Sequence, residues 1–193
     1  MILARLTTLP RALLAAITLL SFALPSGAGQ AVAELAKPGR LLMLRHATAP
    51  GNGDPPGFRI DDCATQRNLD AEGRRQAAEL GQRLARGGIV RARVYSSQWC
   101  RCLETARLLG LGRVEPLPAL NSFYARAEDR DARLAKLREF LARLPADGLP
   151  VVLVTHQFTI TAFTAGPTAS GGGSLFQLNG TGNPRWLGML ADP

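Results

Sequence analysis

The chain has 193 residues, of which 46% are hydrophobic and 20% are charged. This length allows one domain of ordinary size, and the apolar content suffices for a packed core, which excludes an intrinsically disordered protein. The formal net charge is +8, and all but two of the 23 basic residues are arginines. Because these residues alternate with acidic and apolar ones instead of forming runs, the charge favours small anions and predicts no nucleic-acid binding.

The first 33 residues have the composition of a secretory signal peptide. A segment with two arginines and no acidic residue precedes an apolar stretch over residues 12–24. Residues 31–33 (Ala-Val-Ala) have the small side chains of a cleavage site, so we expect the mature chain to start at Glu34. An uncleaved anchor is the alternative, although the apolar stretch is short for a bilayer span. We therefore expect a periplasmic or secreted protein with no stable membrane association after cleavage.

The remaining chain, residues 34–193, alternates predicted strands and helices. Apolar runs predict strands over residues 40–44, 93–95, 114–115, 151–154, 175–178 and 186–190. Apolar residues at helical spacing predict helices over residues 71–86, 98–109, 129–144 and 157–165. A loop rich in Gly, Pro and Asp covers residues 46–66, and ordered loops of this length are usually functional. The order of elements predicts one α/β domain, with a mainly parallel sheet sandwiched by helices.

The three cysteines are Cys63, Cys100 and Cys102. In an oxidising compartment, one disulfide and one free thiol are expected. Side chains two apart in a helix diverge, so Cys100 and Cys102 do not pair easily. Cys102 falls on the apolar stripe of its helix, which favours Cys63–Cys100 over Cys63–Cys102; three reduced, buried cysteines are the alternative. Neither histidine of the chain has metal-ligand spacing from a cysteine, so we expect no metal and no cofactor.

The only two histidines of the sequence, His46 and His156, each follow a buried apolar strand. Ligands of open α/β sheets bind beyond the carboxyl ends of the strands, so histidines from neighbouring strands can converge on one pocket. Arg45 precedes the first histidine. Arg101 lies in the first turn of a predicted helix, whose N-terminal N–H groups attract anions. These groups together predict a phosphoryl site, whereas a surface salt bridge is the alternative for either arginine.

Four motifs, in this order, resemble those of the histidine phosphatase superfamily, branch 1, the phosphoglycerate mutase-like group. Residues 44–47 (Leu-Arg-His-Ala) resemble its Arg-His-Gly signature, residues 67–77 its Gly-x-x-Gln-Ala helix start, residues 95–106 its Ser-Ser-x-x-x-Arg-x-x-x-Thr-Ala segment and residues 154–157 its second-histidine strand. The resemblance implies a phosphoglycerate mutase-like fold and a phosphatase that acts on phosphate esters or phosphoramidates without a metal ion.

The resemblance also implies roles for four residues. His46 is expected to carry the phosphoryl group as phosphohistidine, while Arg45, Arg101 and His156 hold the phosphoryl oxygens. Water then completes the hydrolysis of a small phosphorylated substrate. The alternative from a different class is a noncatalytic phosphate-binding or interaction protein that retains the pocket. A mutase is a weaker third option, because mutases act on cytoplasmic intermediates.

The sequence departs from the family pattern at three places, and two of them concern the catalytic acid. Ala47 replaces the glycine after the histidine, Ser122 stands where the family has a proton-donating glutamate, and residues 170–174 contain no acid. Glu128 is an alternative donor, although an acid at a helix start also suits the helix dipole. Without a strong acid, the enzyme is expected to favour good leaving groups, including phosphohistidine and acid phosphoanhydrides.

Overall fold

The computed structural model describes residues 27–190, so most of the predicted signal peptide lies outside the described residues. The helices are α1 (Gly27–Leu35), α2 (Ala71–Arg86), α3 (Cys100–Leu108), α4 (Arg130–Ala142) and α5 (Gln157–Thr161). The strands are β1 (Arg40–Arg45), β2 (Arg93–Ser96), β3 (Val114–Pro116), β4 (Val151–Thr155), β5 (Gly173–Gln177) and β6 (Arg185–Leu190).

The described strands form one sheet in the order β3-β2-β4-β1-β5-β6. The first four strands in this order are parallel to one another, and β5 and β6 form the antiparallel end. Side chains of β1 alternate between two cores: Leu42 and Leu44 lie in one, Leu41 and Met43 in the other. A strand segment covered on both faces is apolar, as residues 41–44 of β1 are. The predicted α/β domain with a mainly parallel, helix-covered sheet is confirmed.

Helix α2 packs closely against the loop that follows β1. Its start is as predicted, since Asp70 Oδ1 accepts a hydrogen bond from the N–H of Gly73 at 2.7 Å. A Cβ atom at Gly73 would lie 2.0 Å from the carbonyl oxygen of Thr48. Only glycine therefore allows this helix to approach the backbone two residues beyond His46.

Three helices are shorter than their sequences predict, and α4 covers Arg130–Ala142 instead of residues 129–144. Trp99 is extended, with ψ of 134°, so α3 begins at Cys100 instead of residue 98. Helix α5 ends at Thr161 instead of residue 165. The Thr161 and Thr164 hydroxyls donate to the carbonyls of Gln157 and Ile160, and such side-chain bonds compete with continued helix.

The predicted cleavage site lies within helix α1. Val32 and Leu35 of this helix are buried in the same core as Leu84. A mature chain that starts at Glu34 would keep Leu35 in this core and lose Val32. Among the described residues, no helix is long and apolar enough to cross a membrane. The cleavage position itself stays a prediction.

Candidate active site

A pocket of about 460 Å³ opens where β1 and β4 end, and all four predicted site residues line it. The two strands are parallel neighbours, with Arg45 paired to Thr155. The next residue of each strand is a histidine, and the rings of His46 and His156 have centroids 5.5 Å apart. The convergence of the two histidines, predicted from their positions after buried strands, is confirmed.

The His46 ring has a defined tautomer. Its Nδ1 lies 2.8 Å from the carbonyl oxygen of Ala47. A carbonyl oxygen can only accept, so Nδ1 carries the proton and Nε2 keeps its lone pair. Burial lowers the pKa of His46 to about 3. The hydrogen bond to Ala47 opposes this shift, whereas the positive charges of Arg101 and other arginines add to it. The ring is therefore neutral at physiological pH.

His156 contacts a network of polar side chains. Its Nε2 lies 2.9 Å from the hydroxyl of Ser97, and that hydroxyl lies 3.3 Å from Oδ1 of Asn121. Burial, followed by the neighbouring His46 and Arg101, lowers the pKa of His156 well below its ordinary value. Both histidines are thus neutral.

Arg45 and Arg101 are each tethered at one end and retain a donor at the other. Nη1 of Arg45 donates to the carbonyl of Thr168 at 2.8 Å. Nη1 and Nη2 of Arg101 donate to the carboxylate of Asp54 at 2.7 and 3.2 Å. Within the described residues, Nε of each arginine is buried and has no hydrogen-bond partner. Both arginines line the pocket, so an anion bound there would lie next to two positive charges.

Asp54 and Arg67 also line the pocket, and neither was among the site residues predicted from the sequence. Besides Arg101, Asp54 accepts hydrogen bonds from Nε1 of Trp99 at 2.9 Å and from the N–H of Arg67 at 3.1 Å. Arg67 in turn donates to the carbonyls of Ala49 and Gly53. For Asp54 the signal in the sequence was the long Gly/Pro/Asp-rich loop, whose length indicates function without showing which residue carries it. Arg67 follows that loop and opens the motif over residues 67–77.

The predicted anion site at the start of helix α3 is wrong in one respect. The N–H groups that precede or open this helix donate to side chains of the protein: Gln98 to Asn121, Trp99 to Ser97 and Cys100 to Gln66. Within the first turn, the N–H of Cys102 also donates, to the carbonyl of Trp99. The N–H groups of Cys100 and Cys102 are therefore not free for an anion.

A disulfide joins Cys63 to Cys100, with Cα atoms 5.6 Å apart, and Cys102 is free and buried. The favoured pairing is therefore confirmed. The bond attaches the loop that carries Asp54 to the start of helix α3, next to Arg101. Burial raises the pKa of the Cys102 thiol to about 12, so this thiol stays protonated and is not a nucleophile.

The two candidates for the missing acid behave differently. Ser122 lines the pocket. Glu128 does not line it; its side chain is 70% exposed and pairs with Arg126 at 3.4 Å. Among the described residues, Asp54 is the only carboxylate that lines the pocket. Burial raises the pKa of Asp54, but the hydrogen bonds from Arg101 and Trp99 outweigh burial and hold this pKa below its ordinary value. Asp54 is therefore ionised.

The other motif residues support the backbone around His46. Thr105 accepts from the N–H of Ala47 at 3.0 Å and donates to the carbonyl of Arg101 at 2.7 Å. Gln76 accepts from the N–H of Thr48 at 3.0 Å. No described residue other than glycine has a positive φ, so Ala47 replaces the family's glycine without backbone strain.

Comparison with protein families gives one match. Residues 41–125 match the model of the histidine phosphatase superfamily (branch 1). The matched segment contains Arg45, His46 and Arg101 and ends before His156. No curated protein sequence matches the chain.

Several solved structures have a similar fold. A protein of Agrobacterium tumefaciens described as the phosphohistidine phosphatase SixA is 21% identical, covering 81% of this chain and 100% of its own, with a TM-score of 0.54. A SixA structure with tungstate is 17% identical, covering 79% and 97%, with a TM-score of 0.57. An Entamoeba histolytica phosphoserine phosphatase mutant with phosphoserine is 17% identical, covering 79% and 97%, with a TM-score of 0.53. At these sequence identities, the structural similarity shows that the proteins share a fold.

Proposed function

The chain belongs to the histidine phosphatase superfamily, branch 1, and from this we propose that it is an exported, metal-independent phosphatase that acts through a phosphohistidine on His46. Its substrates are small phosphate esters or phosphoramidates. The observation that carries this proposal is the pocket itself, in which neutral His46 lies among Arg45, Arg67 and Arg101.

The first chemical step is attack by Nε2 of His46 on phosphorus. The N–P bond forms as the bond from phosphorus to the leaving atom breaks, and the leaving group takes the electron pair. The imidazole becomes positive, and its Nδ1–H remains bonded to the carbonyl of Ala47, which stabilises that charge. Arg45 and Arg101, which line the pocket together with His46, supply the positive charge and the donors for the equatorial phosphoryl oxygens.

The second step is attack by water on the phosphohistidine. The N–P bond breaks, inorganic phosphate forms, and the imidazole returns to its neutral form. His156 lines the pocket beside His46 and contacts the phosphoryl group in both steps. The arginines supply the positive charge that a metal ion supplies in other phosphoryl-transfer sites.

The alternative function is a phosphate-binding protein without turnover. The observation that favours it is the lack of a protonated acid: the only pocket-lining carboxylate among the described residues is Asp54, which is ionised and bonded to Arg101. In this case the pocket would bind phosphate or vanadate but would form no phosphoenzyme.

The deciding experiment is to mix the mature protein with 4-nitrophenyl phosphate and follow both nitrophenol release and an acid-labile phosphoenzyme. The phosphatase is expected to show both. His46→Asn is expected to lose both by several orders of magnitude, as removal of a covalent nucleophile usually does. Vanadate binding without any turnover in the wild-type protein would support the phosphate-binding alternative.

The proposal of export rests on residues 1–33. Expression of the full chain in a bacterial host, followed by N-terminal sequencing, is expected to give a mature chain that begins at Glu34. Recovery of Met1 in the membrane fraction would instead show an uncleaved anchor.

A further inference from the structure

Exposed apolar side chains concentrate around the mouth of the catalytic pocket. Among the described residues, seven large apolar side chains are exposed, and three of them line this pocket: Ile60, Tyr124 and Phe158. Their exposed fractions are 37%, 58% and 48%. Such a cluster beside a polar site indicates a surface that a ligand covers.

The apolar side chains form a lining that continues inward. The rings of Tyr124 and Phe158 are nearly parallel, with an interplanar angle of 14° and centroids 5.6 Å apart. Phe58 and Trp99 also line the pocket, and their ring centroids are 5.5 Å apart. One pocket thus has a polar end at His46 and a wall of aromatic rings.

The size of the pocket exceeds the need of a phosphoryl group. Its volume of about 460 Å³ is in the range that encloses a whole small-molecule ligand. A phosphoryl group bound by the arginines fills only the polar end. The aromatic wall is therefore where the rest of the substrate, the leaving group, would lie.

The pocket offers this leaving group no strong acid. Asp54 accepts four hydrogen bonds, from both Nη atoms of Arg101, from Trp99 and from the N–H of Arg67. A carboxylate held by that many donors stays ionised and has no proton to give. A leaving oxygen must therefore depart as an anion, which requires a weakly basic group.

From the aromatic wall and the missing acid together, we infer that the substrate is an aryl phosphate, in which the phosphoryl group is bonded directly to an oxygen on an aromatic ring. A phenol has a pKa of about 10, roughly six units below that of water, which aliphatic alcohols resemble. The P–O(aryl) bond breaks as the His46 N–P bond forms, and the phenolate leaves with the electron pair and takes a proton from solvent. This assignment rests on the proposed phosphatase activity.

Three substrates separate the two parts of the assignment. Benzyl and ethyl phosphate have leaving groups of similar basicity and differ by the ring, so their ratio of kcat/KM measures contact with the ring. Phenyl and benzyl phosphate both carry a ring and differ in leaving-group basicity. We expect kcat/KM to be roughly tenfold higher for benzyl phosphate than for ethyl phosphate, because the ring is partly buried on binding. We expect kcat/KM for phenyl phosphate to exceed that for benzyl phosphate by a further hundredfold or more.

The variants test which residues contact the ring. Tyr124→Ala combined with Phe158→Ala is expected to reduce the benzyl-to-ethyl ratio to near one. Trp186→Ala is the matched control, because Trp186 is an exposed aromatic residue, 45% accessible, that does not line this pocket. Its ratio is expected to equal that of the wild-type protein.

The outcomes are distinguishable from a failure of the phosphatase proposal. Hydrolysis with equal kcat/KM for benzyl and ethyl phosphate, or a ratio unchanged by the double variant, would overturn the aromatic subsite. Equal kcat/KM for phenyl and benzyl phosphate would show that an acid protonates the leaving oxygen and would overturn the aryl assignment. No hydrolysis of any substrate, 4-nitrophenyl phosphate included, would overturn the phosphatase activity itself.

Discussion

Because His46 and His156 are buried and neutral, we expect the free energy of unfolding to be lower at pH 5 than at pH 8. In the folded protein, the pKa of His46 is lowered to about 3 by burial and by Arg101 and other arginines, and that of His156 is lowered by burial and by His46. In the unfolded chain both imidazoles titrate at their ordinary pKa, near 6.5. The unfolded state therefore binds more protons as the pH falls, and protonation favours unfolding.

The magnitude follows from the pKa of His46. Its contribution to stability is fully present above pH 6.5 and is lost as the pH falls from 6.5 towards about 3. At pH 5 the loss is about 2 kcal/mol, since each pH unit below 6.5 costs about 1.4 kcal/mol while the folded ring stays neutral. His156 adds a loss in the same direction. Asp54 does not contribute in this window, because its pKa is below its ordinary value.

Urea unfolding at pH 8 and pH 5 measures this effect. The free energy of unfolding of the wild-type protein is expected to fall by at least about 2 kcal/mol between the two pH values. His46→Asn removes one titrating group, so its fall should be smaller by about 2 kcal/mol. Equal stability of the wild-type protein at both pH values, or an equal fall in the variant, would refute the burial of neutral His46.

Four substitutions test the rest of the site. Arg101→Lys keeps the charge and loses the planar fork, so kcat/KM should fall by about thirtyfold, or about 2 kcal/mol. Asp54→Asn weakens the charged tether of Arg101, and kcat/KM should fall by roughly tenfold to a hundredfold; Asp61→Asn, an exposed change in the same loop, is the control and should have no effect. Cys63→Ser opens a loop with a sequence separation of 37 and should lower the free energy of unfolding in urea by up to about 4 kcal/mol. Glu128→Gln should change kcat/KM for neither alkyl nor 4-nitrophenyl phosphate, because Glu128 lies outside the pocket; a selective loss with alkyl phosphates would identify it as the acid.

Local patterns in the sequence determined the order of strands and helices and the meeting of the two histidines in the site. The apolar runs of β1 and β4 are contiguous in sequence and need only their own residues to indicate strands buried on both faces. Since parallel strands end at one edge of a sheet, the positions of His46 and His156 after these runs were enough to predict that they meet. The pairing of Cys63 with Cys100 followed from the positions of Cys100 and Cys102 on their helix, where only Cys102 lies on the apolar stripe.

Tertiary structure alone decided how the loop and the helix ends complete the pocket. Asp54 and Arg101 are 47 residues apart, and Gln66 and Cys100 are 34 apart. No periodic pattern in the sequence relates such distant residues. Helix propensity gives the start of α3 only roughly, so the capture of its N–H groups by Gln66 and Ser97 could not be predicted. The position of Asp54, the only carboxylate that lines the pocket among the described residues, and that of the aromatic wall depend on the folded path of the loops. Long-range contacts fix that path, and the local sequence does not.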